Sequence, residues 1–312
     1  MRIFKLEFQK IIKNPMLWLL AVIFCLVNCL IIYNEAGNKD TSKELVIMHD
    51  IIKKTDDTNH SRQAKNRNER KQLSEAYQEY YKENIDLYDK LDMTKILKQK
   101  EEMFQYHPKG FMKKFVKDNY EHLQKRVEKI KSDKEYNDAF YPGQYYKIHS
   151  LLYSKLGEKL IVEMSLLMAL SILFIMDYER LQKTNDLVDA TRTGKRIMDY
   201  KAFAGTLSGI LFSAILCSVT WISFFYCVSF KGLWNVSVAS TLVAEKRYSG
   251  CFYPFVTFFK TTQMQYLILT LTVYLGIILL IALATIAIQF LLGNSYFSFA
   301  ILILLNMALF LG

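Results

Sequence analysis

Few residues in this chain are spaced for chemistry. Five histidines, His49, His60, His107, His122 and His149, fall in one polar stretch, and none is set in an HExxH or paired metal-ligand spacing. They read as surface residues. Thr193-Gly194-Lys195 is faintly similar to a phosphate loop, but that loop needs a glycine five positions before its second glycine and Ser or Thr after the lysine. Asp189 and Arg196 stand there instead. Cys25, Cys29, Cys217 and Cys227 lie inside apolar runs and only Cys251 lies in a polar loop, so no disulfide framework or metal site is encoded. No catalytic, cofactor-binding or metal-ligating set emerges, and the chain reads as something other than an enzyme.

Two polar residues inside apolar runs stand apart. Glu163 lies about one turn inside its run, where a carboxylate is costly and normally faces a cavity or a partner. The alternative, which we prefer from sequence, starts the span a turn later and leaves Glu163 among headgroups beside Glu158 and Lys159. Asn28 is uncharged, and hydrogen bonding to a neighbouring helix is a better use for it than a substrate role.

The elements that must position these residues are legible from hydropathy. Mean hydropathy is only +0.08, but the apolar residues are gathered into long runs with nearly every charge between them. The formal charge of +10 is spread over connectors and a polar insert rather than one stripe, which argues against a nucleic-acid partner. The expected architecture is all-α: a polytopic helical membrane protein with an extracytoplasmic helical domain. Residues 1–15 form a basic amphipathic helix, with Phe4, Phe8, Ile11 and Ile12 on one face and Arg2, Lys5, Gln9, Lys10 and Lys13 on the other. Such a helix lies in the headgroup layer of the bilayer. Residues 16–33 form the first span, preceded by four cations, which places the N-terminus in the cytoplasm of a multi-pass plasma-membrane protein.

Residues 34–157 are then an extracytoplasmic insert. Leu73, Tyr77, Tyr80, Leu87 and Leu91 form one narrow seam, and Val116, Tyr120, Leu123, Val127 and Ile130 form another, with the helix stop His107-Pro108-Lys109-Gly110 between them. An antiparallel helical hairpin is expected. Residues 158–176 form the second span, 177–201 a cytoplasmic connector, 202–230 the third span, 231–262 an external loop, 263–292 the fourth span and 296–312 a fifth. A sixth span is expected to be missing from the sequence.

This order resembles the permease subunits of ABC-2 type transporters. In the connector, Glu179, Leu187, the segment Thr191-Arg192-Thr193-Gly194-Lys195-Arg196 and Lys201 are similar to that family's pattern of an acidic residue, a leucine and a small-Arg-Gly-basic segment before a lysine. The topology covers the whole chain and the motif about 25 residues of it. The resemblance implies half of a translocation pathway, a second permease subunit completing a homo- or heterodimer, and a separate ATP-binding subunit carrying ATP and Mg. It also implies a coupling helix in the connector, whose stripe runs through Leu181, Thr184 and Val188 with Leu187 at its edge, and with Arg192, Lys195 and Arg196 at its rim. Relatives with a large insert after the first span point to export of, or resistance to, peptides. The alternative is a non-transporting receptor or scaffold whose external domain binds a peptide or protein. Mechanotransmitting ABC proteins share the insert, but their four spans fit poorly with a fifth apolar run.

Overall fold

The computed structural model describes residues 2–36, 91–103, 109–135, 149–184, 194–228, 230, 234–241 and 257–311, and among them the chain is all-α. The helices are α1 (Arg2–Ile12), α2 (Pro15–Ala36), α3 (Met93–Met103), α4 (Phe111–Asp133), α5 (Leu156–Met176), α6 (Tyr178–Leu181), α7 (Gly194–Cys227), α8 (Val238–Thr241), α9 (Gln263–Leu292) and α10 (Ser295–Leu311). A π-helical turn, Ser150–Lys155, leads into α5. The chain divides into two compact units, one of residues 1–37, 150–228 and 270–312, the other of residues 38–149 and 229–269.

The first unit carries most of the long apolar helices. Four described helices are long and apolar enough to cross a bilayer: Pro15–Glu35, Ser150–Met176, Ile197–Cys227 and Gln263–Leu292. The 22 residues of α2 span about 33 Å at 1.5 Å each, a little more than a hydrocarbon core. Helix α2 exposes Leu19, Val22, Leu26 and Leu30, and α9 exposes Val273, Leu280, Leu283 and Leu291. Apolar surface on that scale is what a bilayer or a partner protein covers. The fifth apolar run forms α10, whose 17 residues reach only about 26 Å, so it falls short of the other four.

Local sequence sets the helix boundaries. Asn14 accepts a hydrogen bond from the Met16 amide (3.0 Å) and Pro15 occupies the first helical position, so α1 stops and α2 starts within three residues. Asn294 likewise accepts from the Tyr296 amide (3.0 Å), and Gly293 supplies the positive φ of 61° that turns α9 into α10. Helix α5 is the hub: α1, α2, α7 and α10 all pack on it. The α5–α7 contact is the most extensive, and Gly205 and Gly209 let the backbones approach. A Cβ on Gly205 would sit 2.8 Å from Ile172 Cα, and one on Gly209 would sit 3.0 Å from Met168 Cα.

The second unit has its own small core of Leu91, Met93, Ile96, Val127, Ile130 and Ala239, flanked by Tyr120 and Leu123. The second seam therefore lies on α4 and faces inward over its C-terminal half. Of the first seam only Leu91 is described, and its partner helix here is α3, capped by Asp92, whose carboxylate accepts from the Thr94 (2.9 Å) and Lys95 (3.2 Å) amides. Leu73, Tyr77, Tyr80, Leu87 and His107-Pro108 lie outside the described residues. A buried pair, Arg126 with Glu135 (2.8 and 2.6 Å), closes the end of α4, and Ser237 also donates to Glu135 (3.3 Å).

Candidate functional site

The amphipathic pattern of α1 lays Phe4 and Phe8 along the inner face, where Phe4 meets Phe203 of α7 with ring centroids 5.3 Å apart. The same packing turns Glu7 and Lys10 inward. At the other end of the unit's chain path, α5 gives way at Asp177 to the single turn of α6. Glu179 on that turn is buried, with 5% exposure, and so is Lys201 on α7.

These four residues meet. Lys10 Nζ donates to Glu7 Oε1 (2.8 Å) and to Glu179 Oε1 (3.0 Å), while Lys201 Nζ donates to Glu179 Oε2. Lys10 also lies 4.7 Å from the centre of the Tyr178 ring, a cation–π contact. Two anions thus meet two cations where three helices converge. Burial alone pushes the Glu179 carboxyl up, yet the hydrogen bonds from Lys201 and Lys10 outweigh it and hold it below its ordinary value. Burial alone lowers the Lys10 ammonium, and its bonds to Glu7 and Glu179 reverse that and raise it. A neighbouring clasp ties in α9 and α10: Arg180 donates to the Gly293 carbonyl, the Ser295 amide to Asp177 (3.4 Å), and Ser295 Oγ to the Leu173 carbonyl (3.2 Å).

No family model, curated protein or solved structure matches the chain. The functional reading therefore rests on this geometry and on the sequence pattern.

Of the connector, residues 177–201, whose first half is expected to form a short amphipathic helix, residues 185–193 lie outside the described residues. Its described first half is one helical turn, Tyr178–Leu181, and residues from Gly194 already belong to α7. Leu181 is half exposed. Leu187, Val188 and Arg192 lie outside the described residues, and Lys195 and Arg196 occupy the first turn of α7. Among the described residues of the sequence pattern, the fold brings together Glu179 and Lys201, which bracket it. Glu7 and Lys10 were missed as site residues, because a basic amphipathic helix reads as a lipid-facing one. The signal present in the sequence was Glu7 itself, an acid among cations.

Within the helical run from Ser150 to Met176, Glu163 is packed against protein. It is 4% exposed, in the middle of that run, and Asn28 Nδ2 of α2 donates to its Oε2 (2.7 Å). The same Nδ2 reaches Thr220 Oγ1 of α7 (3.3 Å). Hydropathy locates a carboxylate along a helix but not around it, and Glu163 points to the packed side. A second polar contact, Ser165 Oγ to Asn306 Oδ1 (2.9 Å), joins α5 to α10. On the outer flank of α2 and α7 lies an apolar groove of about 450 Å³ lined by Leu26, Leu30, Tyr33, Ile222 and Tyr226.

Proposed function

We propose that this chain is the permease subunit of an ABC-2 type transporter, seated in the plasma membrane with its N-terminus in the cytoplasm and paired with a second permease subunit. A separate ATP-binding subunit drives it, and peptides are the cargo class that the resemblance implies. The observation that carries the proposal is Glu179, the acidic residue of the connector pattern. It is buried against Lys201, which ends that pattern, and against Lys10 of α1. A subunit with no phosphate loop of its own must take up an ATPase's movement through its connector. Here the connector is fastened to α1, α7 and the α9–α10 turn, so displacement of one turn would move helices on several sides at once.

The test is co-purification with an ATPase encoded beside this chain, with ATP turnover measured in liposomes. A buried apolar anchor carries more binding energy than a charged rim, so Leu187→Asp is expected to abolish assembly while Arg196→Glu only weakens it. Assembly and turnover that survive Leu187→Asp would remove the connector as the coupling element.

A further inference from the structure

The Asn28–Glu163 contact leaves two oxygens over. Both Asn28 and Glu163 are more than nine-tenths buried. Asn28 Nδ2 spends its two hydrogens on Glu163 Oε2 and Thr220 Oγ1, and Thr220 in turn donates to the Leu216 carbonyl (2.9 Å). Asn28 Oδ1 and Glu163 Oε1 are buried with no hydrogen-bond partner. Both are acceptors, and one is on a carboxylate, so what completes the pair is a donor or a cation.

The surroundings narrow the choice. The charged or titratable groups facing Glu163 are Lys159, one turn away on α5 with Nζ 3.9 Å from Oε1, and Cys25 on α2. Helix α7 presents the uncharged Thr220, and α10 presents the uncharged Asn306, which is occupied with Ser165 and the Leu302 carbonyl. Lys159 is a third exposed and beyond hydrogen-bond reach of Oε1, and this contact does nothing for Asn28 Oδ1. No group of three His, Cys, Asp or Glu residues gathers among the described residues, which disfavours a transition metal, and a single carboxylate is a poor match for a divalent ion.

We infer that Asn28 and Glu163 form a binding site for one monovalent cation, a proton or a sodium ion, between α2 and α5 within the membrane. A proton on Oε1 would be donated to Asn28 Oδ1 while Asn28 Nδ2 donates to Oε2. Two hydrogen bonds then close a ring between acid and amide, with no net charge left in the apolar interior. Sodium would instead take Oε1 and Oδ1 as hard oxygen ligands and cancel the same charge. Either way the cation fastens α2 to α5. The site does not depend on the permease reading, since a receptor built on this fold would carry it equally.

The experiment uses the full chain in lipid nanodiscs. Its first arm compares thermal unfolding in sodium chloride with choline chloride at equal ionic strength. Its second records the infrared spectrum in H2O and D2O at neutral pH. A sodium-specific rise in melting temperature that is lost in Glu163→Gln identifies sodium. A protonated-carboxyl C=O band that shifts in D2O, disappears in Glu163→Gln and survives Lys159→Met identifies the proton. Glu163→Gln keeps the shape of the protonated acid and is expected to fold, and Asn28→Leu supplies a second variant, moving the band or abolishing the sodium effect. Neither signal in the wild-type chain, together with destabilisation by Lys159→Met, would overturn the inference in favour of an ionised Glu163 paired to lysine.

Discussion

Glu179 ties two helices through one side chain, because each carboxylate oxygen answers a different one. Its side chain is 7% exposed and that of Lys201 6%, so removing the charge strands an ammonium away from water. Breaking such a pair costs about 3–5 kcal/mol, and Glu179→Gln is expected near the lower bound because glutamine keeps one acceptor. Lys10→Met should cost less, its side chain being 28% exposed. The pH dependence follows from the directions of the shifts. The Glu179 carboxyl is held below its ordinary 4.5, so its stabilisation is complete above pH 4.5 and drains away as pH falls through the lowered value. The Lys10 ammonium is raised above 10.5, so its stabilisation is complete below pH 10.5 and disappears as pH climbs through the raised value. Melting temperatures of wild type and Glu179→Gln, measured against pH in detergent, should converge on the acid side. Parallel curves there would show that Glu179 contributes no charge to stability.

The α5–α7 contact turns on two glycines, and a third glycine provides its control. Alanine in place of Gly205 would drive its Cβ onto the Ile172 backbone at 2.8 Å, and neither helix can move away without opening the interface. At Gly209 the nearest atom is Met168 Sδ, the far end of a flexible side chain, so part of the clash can relax. Gly276 meets nothing within 4 Å. Alanine in a helix interior is otherwise favoured over glycine by up to about 1 kcal/mol. The expected order of melting temperatures is therefore Gly276→Ala at or above wild type, Gly209→Ala below it and Gly205→Ala lowest. Equal values for Gly205→Ala and Gly276→Ala would rule out a close-packed α5–α7 contact. Gly205 and Gly209 do not stand out in the sequence, and their role appears only once α7 is packed on α5. The helices themselves were legible, since the apolar runs mark them out in the sequence. What could not be read was rotation about each axis. Glu163 and Lys10 both turned out to face protein, because facing is decided by a partner as far away in the chain as Asn28 or Glu179, and periodicity carries no record of that.

At the scale of the whole molecule, the membrane-embedded character follows from four long apolar helices whose outer surfaces are apolar as well. The orientation proposed above puts residues 231–262 outside the cell. Cys251 lies in that stretch, beyond the described residues, whereas Cys25, Cys29, Cys217 and Cys227 lie in membrane-spanning helices and are half-buried or buried. A membrane-impermeant maleimide should thus label Cys251 in intact cells, and Cys251→Ser should abolish the labelling. Labelling that begins only after lysis would invert the orientation.

The charges of the Glu179 cluster also have an order in time. A chain emerging from the ribosome presents Glu7, then Lys10, then Glu179, then Lys201, alternating in sign at every step. Each charge after the first therefore arrives with its counter-ion already synthesised. Lys201, which belongs to a membrane-spanning helix, is made last and meets an anion already waiting at the end of α5. The cluster can be neutralised as it is translated, so none of its charges after Glu7 has to wait for a counter-ion whose codon is still unread.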